Sequence, residues 1–147
     1  MKRSSWKKIL EAIGIAVIGF ALFNVAFMMF AGILGLITLI TNTPAQNNTL
    51  GFVLFMLVLA GLTILVFRSK LSVSLKAGYL CMPVMTVLVM FGVLFYQNQI
   101  LVFGLSGLFI GILLGIYWVK KLPWQYLFSV LYCTALGIII ALFNVQI

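Results

Sequence analysis

Residues 12–40 read AIGIAVIGFALFNVAFMMFAGILGLITLI, a run of 29 residues without one charged side chain. At roughly 1.5 Å per residue a helix of that length is roughly 43 Å long, more than the roughly 30 Å of hydrocarbon in a bilayer. A soluble helix would alternate this apolar face with a polar one, so the stretch reads as a membrane span. Its excess length has to be absorbed by tilt, by a break near Gly32 and Gly35, or by projection beyond the bilayer. The run is about twice the roughly 7–15 apolar residues of a cleavable signal and has no convincing small-residue cleavage site. It is therefore expected to remain in the mature chain.

Outward from this run the same pattern recurs. Further apolar segments cover 50–67, 77–96, 100–119 and 123–145, so the first span, taken as 13–40, is one of five. The chain reads as one integral membrane domain over 1–147. Its mean hydropathy of +1.32 and 65% hydrophobic content lie outside the globular range. All nine Lys and Arg fall in three clusters separated by these segments: Lys2, Arg3, Lys7 and Lys8 before the first, Arg68, Lys70 and Lys76, and Lys120 and Lys121. The connectors Thr41–Thr49 and Gln97–Gln99 are polar and uncharged, so basic and neutral links alternate. The positive-inside rule then puts the N-terminus in the cytoplasm and the C-terminus outside. The expected fold is an all-α polytopic membrane helix bundle of five transmembrane helices, most simply in a plasma membrane.

The acid inventory limits the chemistry further. Glu11 is the sole carboxylate, and the chain has no Asp and no His. General acid and base pairs, His-activated nucleophiles and metal cages all need residues that are missing. No catalytic residue, metal site or cofactor is expected. Cys81 and Cys133 form neither a CxxC pair nor a zinc set and read as packing residues, with a disulfide between them requiring their helices to meet. Glu11 lies one turn after Lys7 and Lys8, close enough to pair with them.

Trp6, Trp118 and Trp124, joined by Tyr117 and Tyr126, flank the basic clusters as an aromatic belt at the headgroup level. Pro123 suits the first turn of a helix. Pro83 falls inside the third span, where it removes a backbone hydrogen bond and predicts a kink. Pro44 marks a turn.

Gly107, Gly111 and Gly115 make two overlapping GxxxG units on one face of the fourth span. Ser129, Cys133, Gly137 and Ala141 repeat at the same period on the fifth. Small residues let helix backbones approach closely in lipid, so these two faces are expected to pack on each other, with oligomer contact or a glycine-lined path as alternatives. In the first span Asn24, Ala31, Gly35, Thr38 and Asn42 form a narrow small and polar stripe. Asn24 lies near mid-bilayer, where an unpaired amide is costly. It is expected to face a helix or an aqueous cavity, making either an interhelical bond or a solute contact. Asn47–Asn48–Thr49 is a formal glycosylation sequon on the expected outer side.

Two functional classes follow. The first is a non-enzymatic accessory, assembly or immunity-type subunit that associates with another membrane protein, or with itself, through its helices. The alternative is a small channel or transporter for a neutral or anionic solute, with Asn24, Pro83 and the glycine faces as its path. The basic clusters suit anionic membrane lipid headgroups at the cytoplasmic face. Nucleic-acid binding is not expected, because the charges sit in short juxtamembrane links.

Overall fold

The computed structural model describes residues 2–41, 49–95 and 97–142. Five helices account for nearly all of them: α1 Lys2–Thr41, α2 Thr49–Arg68, α3 Val73–Leu94, α4 Gln99–Lys120 and α5 Trp124–Leu142. No strand occurs among the described residues. Four helices, α1 to α4, are long and apolar enough to cross a membrane, whereas the apolar part of α5, Trp124–Ile139, is shorter. Asn42, Pro44, Asn47 and Asn48 lie outside the described residues.

α1 is one helix of 40 residues, which begins well before Ile13 and runs through Gly32 and Gly35, so of the three ways to absorb the excess length the break is not adopted. A glycine inside a helix costs only about 1 kcal/mol relative to alanine, and the intact hydrogen-bond ladder around it outweighs that in an apolar medium. α3 likewise runs unbroken through Pro83.

Local chemistry explains the ends. Ser72 caps α3 by accepting from the Leu75 N–H at 3.4 Å, and Asn98 caps α4 by accepting from the Leu101 N–H at 3.4 Å. α4 stops at Lys121, which adopts the left-handed conformation with φ 46° and ψ 48°. The Leu122 N–H then reaches back to the Tyr117 carbonyl at 3.3 Å, and Pro123 leads into α5.

α3 occupies the centre. Its largest interface is with α1 and its second with α5, while α2 and α4 lie against its remaining sides. One core cluster joins Ile15, Ala77, Cys81, Val84, Met85, Tyr126 and Cys133, uniting α1, α3 and α5. A second joins Ala26, Phe55, Leu59, Tyr79 and Met82, uniting α1, α2 and α3. α4 contributes no buried residue.

The basic links come together at one end of the bundle. Lys76, at the start of α3, donates from Nζ to the Phe67 carbonyl at the end of α2, at 3.0 Å. The Phe67 ring stacks on Tyr126 in the first turn of α5, centroids 6.0 Å apart. Tyr126 is thus buried against the bundle, whereas Trp6 and Trp118 are exposed. Glu11 is exposed and forms no ion pair with Lys7 or Lys8. An exposed pair of this kind gains well under about 1 kcal/mol, too little to order two long side chains.

Candidate functional site

The tightest surroundings of any described glycine lie where neither glycine series pointed. A Cβ on Gly19 of α1 would sit 2.6 Å from Cys81 Cβ and 3.3 Å from the Gly78 carbonyl oxygen. A Cβ on Gly78 of α3 would sit 2.9 Å from Ile18 Cγ2. Contacts that short do not occur between real carbon atoms, so only glycine permits this crossing. The sequence does carry a signal for it: Ala12, Ala16, Gly19 and Ala26 recur at spacings of four, three and seven on α1, matched by Ser74 and Gly78 on α3.

The small face of α5 turns toward α3. Ser129 Oγ donates to the Ala77 carbonyl at 2.7 Å, and Cys133 Sγ approaches the Cys81 carbonyl at 3.7 Å. Gly137 faces Leu88, whose Cδ1 would lie 3.5 Å from a Cβ on that glycine. Ala141 belongs to the last turn of α5, where only the backbone is described. Cys81 and Cys133 are buried side by side as free thiols.

The expected pairing of the α4 and α5 small-residue faces is therefore not the packing observed. No described atom comes within 4 Å of a Cβ built on Gly107, Gly111 or Gly115, and Gly104 is equally open. α4 instead meets the core through Phe109, Leu113 and Tyr117, with Phe109 edge-on to Phe91 of α3 at 6.2 Å. The reason is geometric. Two residues of offset turn a helix by roughly 200°, so seating the bulky series inward puts the glycines on the opposite side.

The polar residues of the first span also point elsewhere than expected. Asn24 is exposed on the outside of α1, and its Nδ2 donates to the Phe20 carbonyl of its own helix at 2.8 Å. Thr38 is half-buried and donates to the Leu34 carbonyl at 2.8 Å. Ala31 and Gly35 are exposed.

Within the bundle the hydroxyls are occupied by the backbone. Thr86 donates to the Met82 carbonyl, Thr134 to Val130, and Thr63 to Leu59. A cavity of about 70 Å³ lies between α1, α2 and α3, lined by Phe23, Phe30, Phe52, Phe55 and Thr86 among others. Its wall is almost wholly apolar and it is open on one side. Asn24, Pro83 and the α4 glycines do not line it.

The outer surface of the bundle presents the open glycine face of α4, the exposed Asn24 on α1 and the basic end. No family model, curated protein or solved structure matches this chain.

Proposed function

We propose that this chain is a non-enzymatic integral membrane protein, an accessory, assembly or immunity-type subunit that works by helix-mediated association with another membrane protein. One observation carries the reading. α4 packs on its own bundle from one side only and turns Gly104, Gly107, Gly111 and Gly115 outward. Such a face offers lipid little packing and a second helix a close approach, and van der Waals contact at short range is what drives helices together in a bilayer.

In this reading all five helices cross a plasma membrane, with the N-terminus in the cytoplasm and the C-terminus outside. The 19 residues of α5 give roughly 28 Å of helix, close to the hydrocarbon thickness. The basic end then lies against anionic headgroups, each exposed cation contributing about 1 kcal/mol. The non-enzymatic assignment rests on a sequence with no Asp or His, whose lone Glu11 stands exposed away from the buried thiols.

Purification in gentle detergent tests the reading. A second membrane protein should follow the chain in fixed ratio and be lost from the folded Gly111→Leu variant. A lone protein that conducts or transports in liposomes would refute it. Orientation has its own test: a cysteine at Asn98 should react with impermeant reagent from outside, and labelling only after permeabilisation reverses the topology.

A further inference from the structure

Asn24 occupies an unusual place. It lies near the midpoint of the apolar segment Trp6–Ile40, on the exposed side of α1. Its amide nitrogen is bonded to its own helix, and its Oδ1 accepts no hydrogen bond from a described residue. At that depth the surroundings of an isolated bundle are acyl chains, which offer neither donor nor acceptor, so the amide stays half-satisfied.

The surface around it has a matching pattern. Val17, Ala21, Asn24, Met28, Ala31 and Gly35 follow one another at spacings of four, three, four, three and four. All six are exposed, and no described atom comes within 4 Å of a Cβ built on Gly35. Spacings that alternate between four and three recur every seven residues, which keeps one seam facing a neighbouring helix over several turns. Ala21, Ala31 and Gly35 let that neighbour's backbone come close on both sides of the amide.

The occupant follows from the chemistry of that amide. A helix on this seam has to present both a donor and an acceptor at the depth of Asn24. A second copy does so automatically, because an amide is its own complement. Copies inserted in the same orientation relate by a two-fold axis along the membrane normal, which brings identical residues to the same depth. We propose that a second copy of this chain packs on the outer face of α1, with Nδ2 of one Asn24 donating to Oδ1 of the other across a parallel seam. The contact is separate from the α4 face and does not depend on its partner.

Subunit counting by single-molecule photobleaching tests this, using the full-length protein in liposomes of phosphatidylcholine and phosphatidylglycerol over a range of protein densities. The expected result is a monomer–dimer equilibrium. Asn24→Leu should raise its dissociation constant about tenfold, and Asn24→Gln, which keeps the amide, should restore much of the loss. An Ala31→Cys chain should cross-link to itself on mild oxidation, while Leu36→Cys, exposed on another flank of α1, should not. The native thiols, 1% and 0% exposed, stay out of that reaction, and the cysteine pair decides the matter even if Asn24→Leu proves poorly folded. Monomers at every density overturn the proposal. So does a dimer that survives Asn24→Leu, or one abolished only by Gly111→Leu, which would put the contact on α4.

Discussion

Ser129 Oγ donates to the main-chain carbonyl of Ala77 at 2.7 Å, across 52 residues of chain. The same hydroxyl also lies 3.0 Å from the Gln125 carbonyl of its own helix. Ser129 is fully buried, as are Ala77 and Cys133. This bond turns the small face of α5 toward α3, and α4 is left to cover the bundle with larger side chains. Ser129→Ala should lower stability by about 1 kcal/mol, the usual scale of an interhelical hydrogen bond in a membrane. Ser129→Leu should cost about 2–3 kcal/mol because the site has no room. Denaturation in mixed micelles measures both.

Gly19 and Gly111 should respond oppositely to alanine. At Gly19 the new Cβ meets Cys81 Cβ and Sγ at 2.6 and 2.8 Å, so α1 and α3 must move apart, at about 1–3 kcal/mol. At Gly111 it meets open space, and the better helix propensity of alanine makes the change neutral or stabilising by up to about 1 kcal/mol. Thermal unfolding of the two variants separates a packed glycine from an unpartnered one. If both lost stability equally, the outward placement of the α4 face would be wrong.

The thiols of Cys81 and Cys133 should be silent toward a bulky maleimide in the folded protein, since both are buried at the junction of α1, α3 and α5. On unfolding in SDS, two thiols per chain should react. Rapid labelling in mild detergent would contradict the packing of α5 on α3.

Lys76 ties two helix ends together. Its Nζ bond to the Phe67 carbonyl satisfies an acceptor in the last turn of α2 and places a positive charge at the negative end of that helix dipole. Lys76→Met should cost about 0.5–1 kcal/mol, and the loss should shrink at high salt. A hydrogen-exchange experiment should localise the loosening to the last turn of α2.

Lys121 is the one non-glycine residue with positive φ among those described. A side chain there carries a strain of about 1 kcal/mol that glycine avoids. Lys121→Gly should raise the midpoint of thermal unfolding, and a fall would mean that the Lys121 side chain makes a stabilising contact.

The helices and their rough limits were legible because they depend on local quantities. Long uncharged runs, basic links and turn residues mark where an apolar helix starts and stops, and α2, α3 and α4 fall within a few residues of the expected segments. At the N-terminal end of α1 the helix runs past the expected span, because the helical backbone continues through Lys2, Arg3, Lys7 and Lys8.

What the sequence determined by itself is an apolar helical chain with its cations in three clusters at or near helix ends, and without the acids and histidines that most catalytic sites require. Which face of each helix turns inward was decided only by the tertiary structure. In a soluble helix a polar stripe announces the outside, but here Leu, Ile, Val and Phe line almost every side, so periodicity is nearly silent. The choice fell to shape: the clash-free crossing at Gly19 and Gly78, the bond from Ser129 to Ala77, and the bulk of Phe109, Leu113 and Tyr117. That selection left the conspicuous glycines of α4 and the mid-bilayer amide of Asn24 on the outside, where no local property of the chain could have put them.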